Sequence, residues 1–138
     1  KGQTPTTPAI SFYFALDKAL NILLKKGLKN KQDNYRKLSN IVKKYSEKLN
    51  INILIKDPKN KANAITTLVL DSHQSAEKLQ LFLQKCGYMV WHTNYGKKDE
   101  KFNSLLQVSV MGNINREDID KLFIKVSYFI KNKYGKNK

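Results

Sequence analysis

Apolar residues recur at helical spacing from the start of the chain. Phe12, Ala15, Leu16, Ala19, Leu20, Leu23 and Leu24 fall on one face of a helix that can begin at Pro8, where a missing N–H costs nothing, and stop at Gly27. Tyr13 and Phe14 widen that face, so this helix expects an apolar partner larger than a small sheet. A second helix is predicted from Lys31 to Leu49. Tyr35, Leu38, Ile41, Val42, Tyr45 and Leu49 form its stripe, and lysines fill the solvated side. The period then shortens. Ile51 to Ile55 reads as a short strand, Asp57-Pro58 as a turn, and Ala64 to Leu70 as a strand rich in β-branched residues. Ser72 or Ser75 can cap a third helix carrying Ala76, Leu79, Phe82 and Leu83, which Gly87 ends. Tyr88 to Trp91 is predicted as a third strand and His92 to Ser104 as a loop.

The stretch from Leu105 to Asp118 carries the most information. Leu106, Val108 and Val110 alternate with Leu105, Gln107, Ser109 and Met111, so the strand has one fully apolar face and one that includes a polar Gln107. That second face is the place to look for a ligand. Asn115 caps the last helix, Asp118 completes a box-like arrangement, and Ile119, Leu122, Phe123, Val126 and Ile130 form the buried stripe. The tail is expected to fray from Lys131. The order helix, helix, strand, strand, helix, strand, strand, helix predicts an α/β (α+β) two-layer sandwich. Its small, mainly antiparallel sheet has helices packed on one face and follows a long helix.

Composition narrows the function classes. The 138 residues suit one domain with a sizeable core. The formal charge of +15 invites a nucleic-acid reading, but the lysines are scattered and only Arg36 and Arg116 offer the planar fork that base reading favours. No nucleic-acid partner is expected. Cys86 is the single cysteine, so there is no internal disulfide and no metal-ligand spacing. No stretch resembles a signal peptide or approaches a bilayer span, and a soluble, cytoplasmic protein without a membrane partner is expected.

Few residues carry evident chemistry. His73 and His92 have no second histidine or cysteine at metal spacing. There is no Gly-x-Ser-x-Gly elbow and no glycine-rich phosphate loop. Thr4, Thr6 and Thr7 precede a helix start, where hydroxyls either cap the first turn or hold a phosphate. Gln107 is either a tolerated polar residue on an open face or a ligand contact. Cys86 reads most simply as a small buried residue near a helix end.

Three stretches together carry a resemblance: Gly2 to Leu20, the Gly27-Leu28-Lys29-Asn30 helix end, and Met111-Gly-Asn-Ile-Asn-Arg-Glu-Asp118. They resemble class V (fold-type I) aminotransferases, nearest to the alanine–glyoxylate and 2-aminoethylphosphonate–pyruvate group, which uses pyridoxal 5'-phosphate. The resemblance covers essentially the whole chain and matches only the C-terminal small domain of such an enzyme. It implies a linker and long interdomain helix over residues 1–28, a small-domain core over 29–131 and a tail over 132–138.

The same resemblance places the cofactor-bearing lysine, the aspartate on the pyridine nitrogen and the stacking ring in a large domain of the same polypeptide. No residue of this chain then takes a catalytic role, and the chain alone should be inactive. The full-length enzyme is implied to be a homodimer in which Gln3, Thr6 and Thr7 reach toward the cofactor phosphate of the neighbouring subunit. Its substrates would be 2-aminoethylphosphonate or a small amino acid as donor, with pyruvate as acceptor. In the family, an arginine before the Gly-Asn turn pairs with the substrate carboxylate, and here that position is Gln107, which has no charge and no parallel fork. Trp91 to Tyr95 departs from the family's small-residue loop, which implies a reshaped pocket. The alternatives are a non-catalytic basic binding domain, a serine/alanine–glyoxylate-type aminotransferase, and a cysteine desulfurase relative that would use Cys86.

Overall fold

The structure is a computed structural model and describes residues 9–70, 73–93 and 105–134. It divides into two compact units, Lys1–Asn34 and Tyr35–Lys138.

In the first unit, α1 spans Ile10–Lys26, and none of its residues is buried. The helix starts two residues after Pro8 because Ala9 occupies the cap position, its carbonyl accepting from Phe12 N at 2.9 Å. It stops at Gly27, whose N–H donates to the carbonyls of Leu23 and Leu24. Phe12, Tyr13, Phe14, Leu16, Leu20 and Leu24 are all exposed. The excess apolar surface read from the sequence is therefore real. The next helix, α2, spans Leu28–Lys48 and so begins three residues earlier than its stripe suggested.

The second unit takes α2 from Tyr35 onward and adds β1 (Asn52–Ile53), β2 (Ile65–Val69), α3 (His73–Lys85), β3 (Trp91–Thr93), β4 (Leu105–Ser109) and α4 (Arg116–Tyr134). Element order matches the sequence reading throughout. The strands form one antiparallel sheet in the order β1-β2-β4-β3. Leu68, Leu106, Val108 and Val110 point to one side of it and pack with Leu38 and Val42 of α2, Leu79 and Leu83 of α3, and Ile119, Phe123 and Val126 of α4. This is a small α+β domain with its core between the sheet and its helices.

The helix ends show why the strands lie where they do. After α2 the chain reverses through Asn50 at φ 54, a left-handed position that Asn tolerates, while Ile51 N donates back to Ser46 O at 2.9 Å. After α3, Gly87 at φ 87 lets Tyr88 N reach Leu83 O at 2.9 Å, and a side chain at that φ would be strained. Those bonds hold Tyr88 against the helix end, so the third strand runs Trp91–Thr93 rather than Tyr88 to Trp91. β1 is likewise shorter than Ile51 to Ile55: Leu54 N still donates to Thr67 O at 2.9 Å, but the regular pairing ends at Ile53, and Leu54 and Ile55 are exposed. Ser75 lies inside α3 rather than capping it, and Ser72 falls outside the described residues. Cys86 is half-buried, and α4 continues past Lys131 to Tyr134.

One buried polar contact crosses the core. Ser39 of α2 and Thr66 of β2 lie 3.4 Å apart, Oγ to Oγ1, which lets a threonine face the helices without an unpaired hydroxyl. At the surface of the layer, Tyr45 stacks on Phe123 with centroids 5.0 Å apart and donates its hydroxyl to Asp120 Oδ1 at 2.8 Å.

Candidate functional site

The register fixes which residues share the sheet face opposite the helices. Gln107 on β4 stands opposite Thr67 on β2 and Trp91 on β3; Leu105 stands opposite Val69 and Thr93, and Ser109 opposite Ile65. Asn52 of β1 pairs with Val69 and joins the same face. In a chain of which 27% is charged, none of the strand residues is charged. The face mixes polar Asn52, Thr67, Gln107 and Ser109 with apolar Ile65, Val69 and Trp91, while Leu105 and Thr93 on it are buried.

Gln107 sits at the centre of that face. It is half-buried, and its side-chain amide has no hydrogen-bond partner among the described residues. One cross-strand neighbour supplies a hydroxyl, Thr67. The other supplies an indole, Trp91, which is 65% exposed. Cross-strand neighbours are close enough for a single small group to touch all three side chains. The trio offers one amide donor and acceptor, one hydroxyl, and one broad apolar ring. Sequence alternation finds Gln107, but its partners come from strand register, which no local pattern encodes.

The turn after β4 is held from both ends. Val110 N donates to Ala64 O at 2.9 Å, Met111 N donates to Ser109 Oγ at 3.3 Å, and Gly112 takes φ 91. Asn115 then caps α4: its Oδ1 accepts from Asp118 N at 3.1 Å, while Asp118 Oδ2 accepts from Asn115 N at 2.9 Å. This reciprocal pair is the box predicted from the sequence.

The other candidates lie elsewhere. Gln3, Thr6 and Thr7 fall outside the described residues, as do residues 94 and 95 of the Trp91 to Tyr95 segment. His92 lies within β3 on the helix side, paired with Leu106, and its backbone N–H donates to Gln80 Oε1 at 3.1 Å. His73 begins α3. Among the described residues no cluster of histidine, cysteine, aspartate or glutamate could hold a metal ion, and no helix is long and apolar enough to cross a membrane.

Among the described residues, three groups are held away from their ordinary values. The hydrogen bond to Asp120 raises the Tyr45 phenol, with burial adding to it. The bond from Lys121 Nζ to Glu117 Oε1, 2.7 Å long, raises that ammonium. Burial, and then the charge of Lys43, lowers Lys61. None of the three lies on the Gln107 face.

A scan against protein-family models and a search of curated proteins find no match to the sequence. Among solved structures, the crystal structure of an alanine–glyoxylate aminotransferase from Nostoc sp. aligns with a TM-score of 0.78 at 19% identity, over 93% of this chain and 33% of that one. The two share a fold. The chain spans about a third of that aminotransferase's length. The Gln107 face does not by itself fit pyridoxal phosphate. The Gln107 face offers no lysine for the aldehyde, no cation for the phosphate and no carboxylate for the ring nitrogen.

Proposed function

We propose that this chain is the C-terminal small domain of a pyridoxal phosphate dependent aminotransferase, and that its uncharged sheet face borders the substrate. The observation that carries the reading is the agreement in fold over 93% of the chain with part of an alanine–glyoxylate aminotransferase. The unmatched two-thirds of such an enzyme would supply the lysine and the groups that hold the cofactor. When bound there, the cofactor serves as the carrier of the amino group between donor and acceptor.

The chain's own contribution is positional. Gln107 presents an amide to the substrate between Thr67 and Trp91, and the apolar ring excludes water on one side. The exposed apolar stripe of α1, Phe12 to Leu24, packs against the large domain of the same polypeptide, and Gln3, Thr6 and Thr7 contact the cofactor phosphate across a homodimer. The substrates are 2-aminoethylphosphonate or a small amino acid as donor and pyruvate as acceptor. Alanine with glyoxylate is the second pair, favoured by the name of the structural neighbour.

The test is an assay of the full-length gene product with pyridoxal phosphate, each donor being paired with pyruvate and with glyoxylate and the new amino acid quantified by chromatography. Transfer with either acceptor supports the reading. A full-length polypeptide that encodes no second domain, or one that transfers from no donor, overturns it.

A further inference from the structure

A concave site lies away from Gln107, where the end of α2 meets the edge strand β1. Lys43, Ser46 and Glu47 line one side of a hollow of about 240 Å³, and Ile51, Asn52, Ile53 and Lys56 line the rest. Lys61 does not line it but lies near Lys43, whose charge it feels. Its Nζ donates to Asn40 Oδ1 at 3.2 Å, one helical turn before Lys43. Two lysines, Lys43 and Lys56, thus line the hollow against a single carboxylate, Glu47, and a third, Lys61, lies near Lys43. That carboxylate neutralises little: Lys43 Nζ and Glu47 Oε1 are 3.9 Å apart with side chains 42% and 62% exposed, which makes a loose surface pair.

The cations also act on one another. Lys61 is partly buried and carries a depressed ammonium, burial being the larger cause and the Lys43 charge the second. An anion between these groups would turn that repulsion into attraction. Neutral donors are at hand too. Asn52 carries an exposed amide, and β1 is an edge strand with a free backbone side among the described residues. The apolar part of the lining is Ile51 and Ile53.

We propose that this hollow binds the phosphate group of a small phosphorylated molecule, with Lys43 and Lys56 as the cationic contacts, Lys61 adding its charge from beside Lys43, and Ile51 and Ile53 against its carbon skeleton. A nucleic-acid strand fits the surface less well. Strand binding needs a row of cations interleaved with aromatic stacking platforms, and no lining residue is aromatic. The site is separate from the aminotransferase reading, because it lies in the α2–β1 corner, shares only the edge residue Asn52 with that sheet face, and uses none of Gln107, Thr67 and Trp91.

The test uses the 138-residue chain, labelled with nitrogen-15 and titrated with inorganic phosphate and then with glycerol phosphate at constant ionic strength. Saturable amide shifts confined to residues 51–61 and the last turns of α2 are expected, with glycerol phosphate the tighter of the two. Binding should weaken at least tenfold in Lys43→Gln/Lys56→Gln and stay unchanged in Lys121→Gln/Lys125→Gln on α4. Should the first pair fail to fold, Lys56→Gln alone replaces it, and a weakening of at least threefold is expected. Unsaturable shifts spread over every lysine-bearing surface would overturn the proposal. So would equal binding in both pairs, or binding of an oligonucleotide without binding of either small phosphate.

Discussion

Gln107→Arg is the most informative single change. The new guanidinium would sit at the centre of a face with no charged residue among the described strands, so none of them sets a repelling cation or a competing carboxylate against it. Trp91 opposite it offers a ring face to stack on, and half-burial limits solvent screening. A charge-assisted pair between arginine and a substrate carboxylate is worth about 1.5–3 kcal/mol, roughly ten- to hundredfold in affinity. Because the position is only half-buried, the lower end, about tenfold, is the expected gain. The assay is steady-state transfer by the full-length enzyme, comparing the apparent pyruvate constant of the two forms. A control melt of the 138-residue variant should move by no more than a few degrees. An unchanged pyruvate constant in an active, folded variant refutes the placement of Gln107 at the substrate.

Three further outcomes test the fold and its electrostatics. Leu68→Ala removes a fully buried side chain from a central strand. It should cost about 2–5 kcal/mol in urea denaturation, and a loss under about 1 kcal/mol would mean that the core is not packed as described. Asn115→Ala deletes one half of the reciprocal cap on α4 and should cost about 1 kcal/mol, read from the same denaturation curves. Tyr45 gives a pH signature. Its folded-state pKa is raised above the ordinary 10.0, mainly by the bond to Asp120, so the folded chain holds the proton more tightly than the unfolded one. The stabilisation is fully present below pH 10 and is lost as pH rises through the raised value, so Tyr45→Phe should flatten the alkaline fall in the urea midpoint.

Much of the architecture is written in local pattern. The stripes of α2 and α4, the alternation in β4 and the Asn115–Asp118 box all survive because each depends on residues within a turn or two of one another. What fails is set at longer range. Tyr88, Met89 and Val90 look like strand residues, yet the bonds that close α3 hold Tyr88 at the helix end and leave Met89 83% exposed. The pairing of Gln107 with Thr67 and Trp91 follows from a register between segments forty residues apart on one side and sixteen on the other. The basic hollow is invisible in sequence for the same reason. Lys43 and Lys56 look like ordinary lysines in a lysine-rich chain until the fold sets the end of α2 beside the segment that follows β1.

The central claim, that this fold serves a pyridoxal phosphate enzyme whose other part holds the cofactor, is tested most directly by cofactor content. The full-length protein and the 138-residue chain are each incubated with pyridoxal phosphate, freed of excess by gel filtration and scanned in the near ultraviolet. One cofactor per full-length chain, with a spectrum that shifts on adding an amino donor, and none retained by the 138-residue chain is the predicted result. A full-length protein that retains none, or a 138-residue chain that retains one, would contradict it.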